Sequence, residues 1–135
     1  MSARREPVEE YVRVAEFRSA LRRFMRRTER VARASGLTPQ RYLLLLMIKG
    51  APAGTERSTV TELAERLQLA QSTITELVTR AEEIGLVARM ASADDGRVID
   101  LRLTPEGERR LAEAFTGLEA ERQALLASLV SVESA

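Results

Sequence analysis

The chain of 135 residues carries 21 basic and 20 acidic side chains, a net charge of +1, and contains neither cysteine nor histidine. That length suits one domain that buries a core without disulfides or a structural metal, and the two missing residue types exclude disulfide frameworks, thiolate zinc sites, thiol redox sensing and the commonest general base. The apolar run at 43–48 is far short of a membrane span and no hydrophobic signal region follows the charged first residues, so a soluble, cytoplasmic protein with no cofactor and no metal is expected.

In chain order, Pro7 and the Ser35-Gly36 stop bound a long helix over 8–34. Val14, Phe17, Leu21, Phe24, Thr28 and Val31 recur there at alternating spacings of three and four, a seam with Arg22, Arg23, Arg26, Arg27 and Arg30 around it. Residues 1–35 hold ten arginines against five glutamates and residues 104–135 three against six, so the two ends of the chain can attract each other; an ordinary solvated arginine face is the plainer reading. Thr38-Pro39 starts a second helix, Thr capping the free amides and Pro fitting the first turn, and its nearly all-apolar stretch 42–48 makes it central. Residues 49–57, with Gly50, Pro52 and Gly54, form a loop, and 58–60 a short extended piece. A third helix follows, capped by Thr61 or, one turn earlier, by a Thr59–Glu62 capping box. After a turn at 68–70 a fourth helix runs over 71–84 and is closed by Gly85. Strands over 86–90 and 98–103, the second with Ile99, Leu101 and Leu103 on one face, enclose a polar tip at 92–97 and make a hairpin. Thr104-Pro105 opens the last helical region, where Leu111, Phe115, Leu118, Leu125, Leu129 and Val132 lie on a near-heptad seam with Gly117 as a point of break.

Helix, turn, helix and hairpin in that order is the winged helix-turn-helix arrangement, whose second helix enters the major groove of DNA while the hairpin reaches an adjacent groove. Gly36-Leu37-Thr38-Pro39-Gln40, Leu63-Ala64, Gln71-Ser72-Thr73-Ile74-Thr75, Gly85-Leu86-Val87-Ala88-Arg89, Asp95-Gly96-Arg97 and Leu103-Thr104-Pro105-Glu106-Gly107, in this order, resemble the signature of the multiple-antibiotic-resistance regulator (MarR) family of bacteria and archaea. Each piece alone is common; the series in register is not. The resemblance implies a mainly α fold. A winged-helix DNA-binding lobe at 36–103 lies between dimerisation segments at 1–35 and 104–135, all within one domain over 1–135. It also implies a homodimeric, ligand-responsive repressor on a pseudo-palindromic operator in double-stranded DNA, with a small aromatic or phenolic effector in a crevice between the dimerisation helices and the lobe. Tyr11, Phe17, Phe24, Arg41 and Tyr42 are candidates to line that crevice, although aromatic residues at helical spacing more often pack in a core.

The fourth helix turns Ile74, Leu77, Val78 and Ala81 to one face and Ser72, Thr75, Glu76, Thr79 and Glu83 to the other, with Gln71 at the entry and Arg80 on the flank. Gln71, Ser72, Thr73, Thr75, Thr79 and Arg80 suit phosphates or base edges, and the helix N-terminus adds oriented amides. Glu76 departs from the family, where a basic residue is frequent. It either accepts from a cytosine, repels phosphate, or is paired locally, and repulsion is the expectation because Glu83 shares its side. By the resemblance, Arg97 inserts in a minor groove, where a weakly hydrated guanidinium meets enhanced negative potential. Asp95 then holds the tip by pairing with Arg97 or bonding its backbone, Gly96 allows the turn, and Arg89 touches backbone phosphate. The proposed dimer seam comprises Val14, Phe17, Leu21, Leu111, Phe115, Leu125 and Leu129. An enzyme is not expected: Asp94, Asp95 and Asp100 are near one another in sequence, as Mg²⁺ ligands can be, but no phosphate-binding loop or nucleophilic set accompanies them. The alternative function is a winged-helix protein-interaction module.

Overall fold

The computed structural model describes residues 7–133, so the outermost parts of the expected terminal segments, 1–6 and 134–135, lie outside the described residues. Helix α1 spans Val8–Ala34, with Glu9 and Glu10 complementing the positive end of the helix dipole. It stops where Gly36 turns to a φ of 76° and the Leu37 amide donates back to the Ala32 carbonyl at 2.8 Å. Helix α2, Pro39–Lys49, starts as its cap dictates, the Thr38 hydroxyl accepting from the Arg41 amide at 3.1 Å. Its Tyr42, Leu44, Leu45 and Ile48 are buried at the centre of the core.

Helix α3 is Val60–Leu67, and the capping choice falls on Thr59: its amide donates to Glu62 Oε1 at 2.8 Å and the Glu62 amide to its hydroxyl at 3.1 Å. Thr61 is therefore an exposed first-turn residue and not the cap. The preceding Ser58 exchanges both backbone hydrogen bonds with Leu101, which holds the chain extended up to Thr59 and starts the helix there. Arg66 of α3 donates to the carbonyls of Met47 and Gly50, satisfying the end of α2 and docking the two helices.

Helix α4, Gln71–Glu83, ends at Ile84 and Gly85, whose φ of 77° favours glycine. Strands β1, Val87–Ala91, and β2, Ile99–Leu103, pair antiparallel from Val87 opposite Leu103 to Ala91 opposite Ile99. Leu86 and Val98 fall just outside the strands: Leu86 is fully buried at the hairpin root, and the Val98 amide closes the tip onto the Asp95 carbonyl. Ile99 shares a face with buried Leu101, but it lies past the edge of the core and is exposed, while Asp100 is buried with its carboxylate 3.8 Å from Arg57 Nε.

The break expected at Gly117 separates α5, Pro105–Gly117, from α6, Glu119–Glu133. Helix α6 runs antiparallel along α1: Arg27 pairs with Glu121 at 3.2 Å, and Val14 lines a surface hollow with Val132. The attraction between the basic and acidic ends of the chain thus has one direct expression. The near-heptad seam does not stay covered within one chain. Leu111 and Leu118 are buried and Leu125 half-buried, but Phe115 and Leu129, each one turn further along the same helix as Leu111 and Leu125, are 40% exposed. Phe17, Leu21, Phe24, Thr28 and Val31 of α1 are half-buried, and Val14 is exposed. No helix among the described residues is long and apolar enough to cross a membrane.

The first turn of α5 carries a fork in which Glu106 accepts from Arg109 at 2.6 Å and from Arg110 at 2.8 Å. The hydrogen bond from Arg109, then that from Arg110, holds the Glu106 carboxyl down at about 2 against an ordinary 4.5. A carboxylate with a depressed folded pKa adds stability that is complete above the unfolded value and vanishes as pH falls through the folded one. The difference in thermal midpoint between the native protein and Glu106→Gln is therefore expected to be constant above about pH 5 and to shrink towards pH 2. A difference independent of pH would assign it to packing instead.

Candidate nucleic-acid interface

Helix α4 is amphipathic in place as in sequence. Ile74, Val78 and Ala81 are fully buried and Leu77 partly so, which leaves Gln71, Ser72, Thr73, Thr75, Glu76 and Arg80 exposed and Thr79 half-buried on the outer side. Ser72, Thr75, Glu76, Thr79, Arg80 and Glu83 line one shallow hollow along that face. Its N-cap, Ala70, has no side-chain oxygen to offer, so the first-turn amides keep their capacity to meet an anion. Glu76 is paired locally: Arg80, one turn on, donates to its carboxylate at 3.2 Å, with both side chains more than half exposed. This pair cancels part of the acidity that an isolated Glu76 would bring to the face.

The hairpin packs on this helix through β1, and its tip is closed by short-range bonds. The Arg97 amide donates to Asp95 Oδ1 at 3.0 Å, the Asp94 amide to the Ser92 hydroxyl at 3.3 Å, and the Ser92 amide to the Val98 carbonyl at 2.8 Å. Asp95 thus holds the tip through the backbone of Arg97 and not through its guanidinium, and among the described residues no hydrogen bond or ion pair occupies the exposed Arg97 side chain. Gly96 is not in the left-handed region, and a Cβ there would meet open space, so the turn does not depend on glycine at that position. Asp100 is turned to Arg57, away from Asp94 and Asp95, and the three do not converge.

Arg89 is engaged. Its Nε donates to Glu82 at 3.1 Å and its terminal nitrogen to the Thr79 hydroxyl at 3.1 Å, and Thr79 in turn donates to the Thr75 carbonyl at 2.8 Å. Glu82 was not legible as a site residue from sequence, since its partner lies on another element. Between α2 and α5, Leu46, Gly50, Leu111, Ala112 and Phe115 line an apolar groove of about 360 Å³ with Lys49 and Glu108 at its rim, joined at 2.9 Å. Glu56 also accepts from Lys49, and these two carboxylates, Glu56 first, raise the Lys49 pKa. Tyr11, Phe17, Phe24, Arg41 and Tyr42 do not line this groove; Tyr42 is in the core and Tyr11 is exposed.

The MarR family model matches residues 35–98, from the stop of α1 to the hairpin tip. The HTH-type transcriptional repressor MdtR of Bacillus subtilis is 35% identical over 96 residues, 71% of this chain and 57% of that protein. Over residues 35–98 the chain is of the MarR family. A second B. subtilis repressor, YetL, is 33% identical over 82 residues, 61% of this chain and 48% of the relative, so the chain spans about half the length of these MarR-type repressors. Solved structures share the MarR fold from end to end. The YusO protein of B. subtilis superposes with a TM-score of 0.65 at 24% identity over 93% of both chains. A mutant form of E. coli MarR, solved with operator DNA, superposes with 0.69 at 18% identity over 87% of this chain and 85% of that one. The MarR architecture of terminal helices around a winged helix is thus shared with proteins that have diverged widely in sequence.

Proposed function

We propose that this chain is a sequence-specific, double-stranded-DNA-binding transcription regulator, a repressor that acts as a homodimer on a pseudo-palindromic operator. The observation that carries the reading is α4, with no side-chain cap at its N-terminus and outwardly lined by Gln71, Ser72, Thr73, Thr75, Thr79 and Arg80, beside a hairpin whose tip presents an exposed Arg97 that is unengaged among the described residues. The MarR-type repressors named above, and the MarR and Staphylococcus aureus MepR structures solved with operator DNA and an oligodeoxyribonucleotide, support it by kinship. Binding of a duplex taken from beside the protein's own gene, followed by fluorescence anisotropy over a range of salt, tests it: phosphate contacts release counterions, so affinity is expected to fall steeply with salt. Absent or salt-insensitive binding would favour the protein-interaction module.

The dimer reading assigns 36–103 to the lobe and the terminal segments to the pairing surface. Exposed Val8, Val12, Val14 and Met25 of α1, with Phe115 and with Leu126 and Leu129 of α6, leave more apolar surface open than a small monomer normally keeps. Sedimentation is expected to show a dimer at micromolar concentration, and a monomer there would remove this assignment. The apolar groove beneath Lys49 and Glu108 is the space in which a small aromatic or phenolic effector would fit.

Glu76 bears on affinity more than on base choice. Its pairing with Arg80 holds a cation that phosphate would otherwise engage, and its own charge opposes phosphate. Glu76→Gln is expected to tighten binding about two- to five-fold on every sequence, the scale of an exposed charge interaction. A loss confined to one base pair of the operator would instead identify Glu76 as a base reader.

A further inference from the structure

The alternation of β1 places Val87 and Arg89 on one face of the hairpin, with Leu103 and Leu101 opposite them. Val87 and Leu101 are buried on that face, so Arg89, one step nearer the tip, emerges where the core ends, against the C-terminal half of α4. There its planar fork meets two acceptors one helical turn apart, Glu82 and the Thr79 hydroxyl, both at 3.1 Å. The hydroxyl in turn donates a hydrogen bond to the Thr75 carbonyl, so the fork is tied to the backbone of α4 as well as to its side chains. Glu82 and Arg89 are each roughly one-third to two-fifths exposed, and a carboxylate at 3.1 Å already occupies the field in which a phosphate would have to sit.

We propose that Arg89, Glu82 and Thr79 form a clamp that fixes the hairpin on α4, making Arg89 a positioning residue that sets the distance between helix and wing tip and not a phosphate contact. The consequence for DNA rests on the DNA-binding reading above. The clamp itself belongs to the free protein. Lysine cannot replace the arginine, because a single ammonium lacks the rigid fork that reaches both acceptors at once.

The two roles predict opposite signs at Glu82. As part of a clamp, Glu82→Gln loosens the wing and weakens DNA binding; beside a phosphate-binding Arg89, the same change removes a repulsive charge and tightens it. Affinity over a range of salt and backbone amide exchange of residues 87–91 in the free protein are to be measured for the native chain, Glu82→Gln, Arg89→Gln, Arg89→Lys and the Glu82→Gln/Arg89→Gln double variant. The clamp predicts that each single variant weakens binding about two- to five-fold, the size of one exposed ion pair, with the salt slope unchanged. It further predicts that the double variant is no worse than Arg89→Gln, that Arg89→Lys does not rescue, and that the hairpin amides exchange faster in every variant. Tighter binding in Glu82→Gln with a salt slope lower by about one in Arg89→Gln, or unaltered amide exchange, would overturn it. If the native chain bound no duplex, the DNA reading would fail while the exchange rates still decided the clamp.

Discussion

Gly107→Ala is expected to destabilise the protein by about 3 kcal/mol or more, although alanine is the better helix former by about 1 kcal/mol. Gly107 lies in the first turn of α5, and a Cβ there would sit 2.1 Å from the Leu86 carbonyl oxygen and 3.1 Å from its carbon. Neither atom belongs to a flexible side chain. Leu86 is fully buried, and its carbonyl accepts from the Thr104 amide at 3.0 Å, while the Thr104 hydroxyl donates to the Gly85 carbonyl. Relief of the clash requires lifting α5 off the hairpin root, which breaks these bonds and opens the core at Leu86. Gly96→Ala is the control: its Cβ would touch nothing and its backbone is not left-handed, so a change within about 0.5 kcal/mol is expected. Denaturant midpoints of the two variants check this, and a Gly107→Ala protein as stable as the native one would show that α5 is not held by this close approach.

Arg97→Ala is expected to leave the thermal midpoint unchanged and to weaken operator binding by about 1–3 kcal/mol, roughly five- to 150-fold. Stability is spared because the guanidinium is exposed and has no hydrogen bond or ion pair among the described residues, and the tip is closed by the Arg97 amide, which alanine retains. Affinity suffers because a narrow minor groove attracts a guanidinium strongly, and no neighbouring residue on the tip replaces it. The salt dependence should also become shallower by about one counterion if the contact is mainly to phosphate. Unchanged affinity with an intact melt would remove Arg97 from the interface.

Much of the chain was legible from sequence, and the legible parts share one property: they are decided within about one turn of the residue concerned. Gly36 stops α1, Thr38-Pro39 starts α2, Gly85 closes α4, Thr104-Pro105 starts α5, and Asp95 closes the tip, each through a bond to a neighbour a few residues away. The inward face of α4 follows the same logic, since 3.6-residue periodicity depends on the helix alone. The choice of Thr59 over Thr61 went the other way, because Ser58 is held by Leu101, more than forty residues later. So did the burial of Asp100 beside Arg57, the exposure of Phe115 and Leu129, the clamp of Arg89 on Glu82 and Thr79, and the approach of Gly107 to Leu86. Each of these depends on where a separate element comes to rest. Local sequence sets the caps and faces of helices because their hydrogen bonds are short in sequence. Only the packed chain decides which exposed arginine stays unengaged and which is held, because that partner is chosen by distance in space.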